Sequence, residues 1–148
     1  MTQIRQATEQ DLPEVHAMVV GLARHHGDTA MLTLDDLRRD ALGAHPWLTI
    51  LVAEAAKGLS GYAALCPIAQ LQFGVRGMDL HHLFIRDTMR GQGVGRALVA
   101  ACIGVARERG CRFLAVGTDP DNLAAQQTYV AMGFDRVPQP GPRFRIKW

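Results

Sequence analysis

Three glycines in alternate positions, flanked by two arginines, constrain the fold of this chain more than any other feature. They stand in Arg90-Gly91-Gln92-Gly93-Val94-Gly95-Arg96, between an apolar run at residues 80–85 and a periodic helical pattern that ends at about Arg109. Because glycine lacks a Cβ atom, the backbone can turn sharply here and a ligand can approach its N–H groups closely. The segment therefore predicts a strand, a tight loop and a helix whose first-turn N–H groups can bind an anion.

The order of the remaining patterns favours a mixed α/β fold. Apolar and β-branched runs predict strands, and apolar residues at helical spacing predict helices, in the order β-α-α-β-β-β-α-β-α-β-β. The last two strands are expected at residues 134–137 and 143–148. We therefore expect one domain over residues 1–148, with a mixed, mostly antiparallel sheet of six or seven strands and about four helices.

Composition excludes several classes of protein. The chain has 148 residues, of which 48% are hydrophobic and 20% charged, and its net charge is +2. These values are ordinary for a globular protein and favour neither a membrane span nor nucleic-acid binding. Residues 1–11 are polar and form no hydrophobic signal segment, so a cytoplasmic location is expected.

Three kinds of phosphate-binding loop compete for the glycine segment. A Walker A loop needs Lys and a hydroxyl residue after its last glycine, and neither is present. A dinucleotide fingerprint needs Gly-x-Gly-x-x-Gly, whereas this segment has Gly-x-Gly-x-Gly, although Asp119 leaves that alternative open. The third kind holds a pyrophosphate without metal, through backbone N–H groups and arginines, and it fits best.

The glycine segment resembles the acetyl-CoA loop of the GCN5-related N-acetyltransferases, Arg/Gln-x-x-Gly-x-Gly/Ala. Leu83-Phe84-Ile85, Asn122, and Tyr129 followed by Gly133-Phe134 are similar to the same family. The resemblance implies that Tyr129 is the general acid and that the main-chain N–H near Ile85 meets the thioester oxygen. The acetyl-CoA-binding residues that it implies are Leu83, Phe84, Ile85, Arg90, Gly91, Gln92, Gly93, Val94, Gly95, Arg96 and Asn122.

Within that family, residues 33–43, 51–54 and 61–63 resemble the diamine (spermidine/spermine and thialysine) acetyltransferases. Those enzymes carry a Glu-Asp pair where this chain has His81-His82. The substitution argues against a polyamine acceptor without weakening acetyl transfer. His81 becomes the candidate base, because a histidine pKa near 6.5 suits proton acceptance at neutral pH. Strand alternation places His82 on the opposite face, and no metal site is expected.

The expected function is direct transfer of an acetyl group from acetyl-CoA to a primary amine on a small molecule. Substrate contacts are expected from the first two helices and from a loop at residues 66–74. Direct transfer is preferred because no nucleophile–base pair is apparent and the cysteines Cys66, Cys102 and Cys111 lie in apolar surroundings. Dimers are common among the proteins that the chain resembles, so a homodimer is expected. The alternative is a catalytically silent CoA-binding sensor or partner module of the same fold.

Overall fold

The computed structural model describes residues 2–138 and 141–148. Within these residues the chain forms a sheet of five strands and four α-helices. It divides into two compact units, Met1–Gly117 and Thr118–Trp148, and the expectation of one domain over residues 1–148 stays a prediction. The strands are β1 Gln3–Gln6, β2 Thr49–Ala55, β3 Gly58–Gln70, β4 Val75–Ile85 and β5 Phe113–Val116, and the helices are α1 Leu12–His25, α2 Leu34–Leu42, α3 Val94–Glu108 and α4 Leu123–Ala131.

The sheet of the first unit has the order β1-β2-β3-β4-β5. The first three pairings are antiparallel, and β4 pairs with β5 in parallel. The predicted strand–helix–strand crossover through α3 is thus confirmed. The parallel pairing covers only residues 77–80 of β4, so β4 continues through residues 81–85 with no strand on that side among the described residues.

Both faces of this sheet are covered by helices. Leu12, Val15 and Met18 of α1 share a buried cluster with Tyr62 and Ala64 of β3. The helix α3 packs against β2, β3 and β4 through a buried stripe, as its apolar spacing predicts. Burying each large side chain of this kind contributes roughly 1.5–3 kcal/mol, so the two layers hold β4 firmly between them.

The start of α2 follows its sequence signal closely. The N–H of Asp36 donates to the Thr33 hydroxyl at 3.0 Å, and the Asp36 carboxylate accepts from the Thr33 N–H at 2.9 Å. The Thr33-x-x-Asp36 pattern in the sequence predicts this reciprocal pair, a capping box, which satisfies two donors that the helix cannot. Gly43, the helix stop that the sequence offers, is the C-cap.

The prediction of six or seven strands is wrong. Residues 134–138 and 141–148 are irregular, and Phe144, Ile146 and Trp148 are exposed. Alternation alone does not make a strand, because the backbone also needs a neighbouring strand edge with which its N–H and C=O groups can pair. The predicted loop at residues 66–74 is also wrong in part, since β3 runs on to Gln70.

No helix in the described part of the chain has both the length and the apolar character needed to cross a membrane.

Candidate functional site

The free end of β4 is the first element of the candidate site. The N–H of Arg86 donates to the carbonyl of Ser60 at 2.8 Å, which fixes the hydrogen-bonding phase between β4 and β3. Backbone groups of an antiparallel strand alternate between its two sides. The N–H groups of Leu83 and Ile85 therefore point away from β3, toward the side of β4 that β5 leaves uncovered.

The glycine loop is the second element. Gly91 and Gly93 have φ angles of 76° and 81°, a left-handed conformation that other residues adopt only with strain. Gly93 is the N-cap of α3, no side chain caps it, and its carbonyl accepts the helix's first bond, from Ala97 N–H at 3.0 Å. The N–H groups of Val94, Gly95 and Arg96 thus remain open at the positive end of a 15-residue helix.

Space above the loop is open as well. A Cβ atom built on Gly91 or Gly93 would meet no described atom within 4 Å. Crowding within the protein does not require glycine at these two positions. The positive φ angles do, and the absence of a Cβ atom also leaves room for a ligand above the loop. Val94 is buried, so its side chain belongs to the core and only its N–H faces the loop.

The two arginines of the loop differ in their surroundings. Nε of Arg90 donates to the carbonyl of Ile85 at 3.1 Å, and its Nη1 lies 3.0 Å from a carboxylate oxygen of Asp87. Arg90 thus braces the loop against the end of β4, in addition to lying beside the predicted phosphate position. Arg96, the third residue of α3, is exposed. The amide of Gln92 donates to the Thr88 carbonyl at 3.4 Å, which closes the loop from within.

A β-bulge in β4 changes the direction in which the side chain of His82 points relative to that of His81. Ala64 lies opposite His82, but the next residue of β3, Leu65, lies opposite Leu80, so His81 is an extra residue in β4. The two imidazole rings stack with their centroids 4.3 Å apart and their planes at 18°. The prediction that His82 points to the opposite face is therefore wrong, because the extra residue interrupts the alternation on which it rested.

A buried tyrosine contacts the second histidine. The hydroxyl of Tyr62, a fully buried residue of β3, lies 3.0 Å from Nδ1 of His82. Burial raises the pKa of Tyr62, so the phenol stays protonated. Burial, with smaller contributions from His81 and His26, lowers the pKa of His82 to about 4, so its imidazole is neutral at neutral pH.

This histidine lines a cleft of about 210 Å³ in the first unit. The opposite walls come from the C-terminal half of α1 and from residues 26–32, which precede α2. Nε2 of His16 lies 2.9 Å from the carbonyl of Leu32 and ties that segment to α1. Apart from His82, the residues that line the cleft are Val19, Leu22, Ala23, His26, Asp28, Ala30, Met31 and Leu32.

The low pKa of the half-buried His82 predicts a loss of stability in acid. An unfolded histidine binds a proton near pH 6.5, whereas His82 in the folded chain stays neutral down to about pH 4. The unfolded state therefore binds more protons in that window, and the free energy of unfolding falls as the pH is lowered through it. His82→Gln should remove this component, measured by urea unfolding at about pH 7 and about pH 5. His45→Gln, at an exposed histidine, is the matched control; an unchanged pH dependence in His82→Gln would contradict the assignment.

The second unit contains the other two predicted site residues. Asn122 is the N-cap of α4, and its side-chain oxygen accepts from Ala125 N–H at 3.1 Å. Asp119, a second possible cap in the sequence, instead accepts from the N–H of Asp121 at 2.9 Å. Asn122 is exposed, so its amide group can still serve a ligand.

Tyr129 lies further along α4. Its ring is half-buried and meets the ring of Phe134 edge-on, with centroids 5.4 Å apart. Positions 122, 126 and 129 share one helix face, since they are three and four residues apart. Gln126 on that face donates to the Pro120 carbonyl at 3.0 Å and accepts from Arg136 at 2.9 Å. Its amide is thereby fixed within the unit.

The cysteines are free thiols. Cys102 is buried, whereas Cys66 and Cys111 are half-buried, so the apolar sequence neighbours of the three cysteines do not place all of them in the core. Burial raises the pKa of Cys102 to about 12, and burial together with the charge of Asp79 raises the pKa of Cys66. Neither thiol is activated as a nucleophile, since the thiolate is the reactive form. In the described ranges no three His, Cys, Asp or Glu side chains are placed to hold a metal ion.

Sequence reasoning missed Tyr62, the cleft and the bulge. Tyr62 lies in a run of apolar residues and looks like ordinary core. Its partner is 20 residues away and is set by strand register, which the sequence pattern does not reveal. The adjacent histidines were the one available signal that this part of β4 departs from a plain core strand.

Comparison with known proteins supports the family resemblance. A mouse protein named probable N-acetyltransferase family 8 member 5 is 32% identical over 113 residues, which are 76% of this chain and 49% of that protein. Bovine thialysine N-epsilon-acetyltransferase is 28% identical over 140 residues, 88% of this chain and 82% of that protein. The matches to three rodent N-acetyltransferase 8 proteins span only 40 to 49% of their length.

The fold agrees with these sequences. The crystal structure of a probable acetyltransferase superposes with a TM-score of 0.81, at 24% identity, over 99% of this chain and 97% of that one. The family model described as Acetyltransferase (GNAT) family matches residues 12–134, which include both the glycine loop and Tyr129. The chain therefore belongs to the GNAT family of acetyltransferases.

Proposed function

We propose that this protein transfers the acetyl group of acetyl-CoA directly to a primary amine on a small molecule. One observation supports this most strongly. The end of β4 that β5 leaves uncovered has N–H groups directed outward, and a 3-10 turn at Asp87–Met89 joins it to the glycine loop and the open N-terminus of α3. A strand edge followed by an anion-binding helix terminus suits a donor that carries both an acyl thioester and a pyrophosphate.

Several groups of the first unit fit this donor. The open N–H groups of residues 94–96 and the exposed guanidinium of Arg96 would hold the pyrophosphate without metal. The Ile85 N–H would donate to the thioester oxygen as negative charge develops on it. One such donor is worth roughly 3–4 kcal/mol in measured oxyanion holes. In the second unit, Asn122 is proposed as a further contact because of its place in the family motif.

The acceptor amine must lose a proton before it attacks. An amine with a pKa near 10.4 is mostly protonated at pH 7, and removing that proton costs about 4–5 kcal/mol. We assign the role of base to His81, which is exposed and therefore accessible to the amine or to an intervening water. The amine nitrogen then forms a bond to the acetyl carbon, and the carbon–sulfur bond breaks. Tyr129 protonates the departing thiolate, and the second proton that the nitrogen loses on becoming an amide restores the Tyr129 phenol by way of solvent.

The base assignment predicts a change in pH dependence. His81→Ala should flatten the acidic limb of the kcat/KM profile and lower the rate at neutral pH by roughly 10²-fold, the lower end of what general bases contribute. The matched control is His45→Ala at an exposed histidine outside β4. A profile in His81→Ala that matches the wild-type profile would show that another group accepts the proton.

The acceptor is proposed to be small because the cleft beside His82 holds about 210 Å³. Bovine thialysine N-epsilon-acetyltransferase, by its name, also acetylates an amine of a small molecule. We propose in addition that residues 1–148 act as one domain, that the protein is cytoplasmic, and that it forms a homodimer. Sedimentation at micromolar concentration tests the dimer directly, and a monomer would contradict it.

The decisive assay measures free thiol released from acetyl-CoA in the presence of diamines, amino acids, aminoglycosides and peptides. Release that depends on a particular amine supports the transferase. Tight CoA binding with no amine-dependent release would favour a silent sensor of the same fold.

A further inference from the structure

A hydrogen bond between Tyr62 and His82, beside the cleft, has no role in the proposed acetyl transfer. Tyr62 is fully buried, and its hydroxyl has one partner among the described residues, Nδ1 of His82 at 3.0 Å. A buried O–H that fails to donate costs about as much as a lost hydrogen bond. The hydroxyl therefore donates, and Nδ1 accepts.

The hydrogen bond from Tyr62 determines which tautomer the His82 imidazole adopts. A neutral histidine has a proton on one ring nitrogen and a lone pair on the other, so an accepting Nδ1 requires a proton on Nε2. The ring is neutral because burial, His81 and His26 lower the pKa of His82 to about 4. Asp28 also lines the cleft but is exposed to solvent.

The protonated nitrogen faces the cleft. No described side-chain nitrogen or oxygen is both buried and without a partner, and Tyr62 occupies only Nδ1. Nε2 is therefore accessible to solvent, and His82 lines the cleft. His82 thus presents a fixed, uncharged hydrogen-bond donor to a cleft that it shares with Val19, Leu22 and Ala23 of α1.

We propose that Tyr62 is a positioning residue that fixes His82 as a hydrogen-bond donor, and that His82 thereby selects acceptor amines that also carry an oxygen acceptor, such as amino acids, over simple alkylamines and diamines. This inference rests on the proposed function and names its substrate class. A ligand with an oxygen within reach of this donor gains a hydrogen bond that a simple alkylamine cannot make. His81, by contrast, is exposed and has no tyrosine partner among the described residues, so the two histidines divide the tasks of base and donor.

The first test does not depend on catalysis. In the full-length protein labelled with ¹⁵N-histidine, the resonances missing from His82→Gln identify His82, and their shifts report which nitrogen carries the proton. We expect the proton on Nε2 in the wild type and a mixture of both forms in Tyr62→Phe, which keeps the buried ring. A proton on Nδ1 in the wild type would overturn the proposal.

The second test compares amino acids with the amines that remain when the carboxylate is removed, for example L-lysine with 1,5-diaminopentane. At least one amino acid should have a KM about tenfold lower than its counterpart, near the lower end of what one hydrogen bond to a charged carboxylate contributes. His82→Leu and Tyr62→Phe should raise KM for the amino acid more than for its counterpart, because only the amino acid loses a hydrogen bond, so the preference should fall. His82→Gln, matched in size to Leu but still an N–H donor, should retain much of the preference.

Two kinetic outcomes would overturn the proposal: no pair in which the amino acid is preferred, or an equal loss for both members of a pair in His82→Leu. If no amine releases thiol at all, the proposed function fails separately. Binding of the same pairs, followed on the His82 resonances, then still decides whether His82 recognises the oxygen-bearing member.

Discussion

Gly93→Val is expected to abolish detectable acetyl-CoA binding or weaken it by at least about 10- to 150-fold, the effect of losing one charge-assisted hydrogen bond of roughly 1.5–3 kcal/mol. Gly93 is the N-cap of α3 with φ at 81°, and a Cβ there meets no described protein atom. The branched side chain would occupy the open space through which the pyrophosphate must reach the amides. Calorimetric titration with CoA measures the loss.

A second glycine provides the matched control. Gly110 follows the C-terminal end of α3 and has φ at 78°, and a Cβ atom there would also meet no described atom within 4 Å. A side chain in the left-handed region costs about 1–2 kcal/mol at either position, so the two variants should lose similar stability. Gly110→Val should still bind CoA. If both variants lost CoA binding equally, backbone strain would explain the effect, and the glycine loop would have no role in binding CoA.

Tyr129→Phe is expected to lower kcat by at least about tenfold, since general acid–base catalysis contributes roughly 10²–10⁴-fold, while the CoA dissociation constant stays within about twofold. The substitution keeps the ring that packs edge-on against Phe134 at 5.4 Å and removes only the hydroxyl. Loss of turnover without loss of affinity indicates a contribution made in the transition state.

The control for this variant is Phe134→Leu, which disturbs the packing of the same ring but keeps the hydroxyl. It should reduce stability more than Tyr129→Phe does and turnover less. If Tyr129→Phe turns over at the wild-type rate, the thiolate obtains its proton elsewhere and the general-acid role is wrong.

The parts of the fold that could be predicted from sequence are those decided by local chemistry. The helix α2 begins at a capping box and ends at a glycine, and α3 follows from one continuous apolar stripe. The strand predicted at residues 143–148 failed because pairing depends on a distant edge, which alternation cannot supply. The extension of β3 to Gln70 was missed for the same reason, since only its partner β4 defines it.

The candidate site also has one part that could be predicted from the sequence and one part that could not. The glycine loop could be identified from sequence because its residue types are imposed by backbone conformation, and Gly91 and Gly93 adopt the positive φ angles that this requires. The direction of His82 could not, because a one-residue bulge at His81 reverses the expected face. The partner of His82, Tyr62, is fixed by register across two strands. What remained hidden was therefore the geometry around the two histidines, and not that of the glycine loop.

The central claim is that this chain moves an acetyl group from acetyl-CoA to a small amine. Its most direct test is the initial rate of thiol release from acetyl-CoA with and without each amine of the panel, with the product weighed by mass spectrometry. The account predicts release that depends on the amine, is lost in Gly93→Val and is strongly reduced in Tyr129→Phe, with one acetyl group added to the amine. Saturable CoA binding with no amine-dependent release and no acetylated product would contradict it.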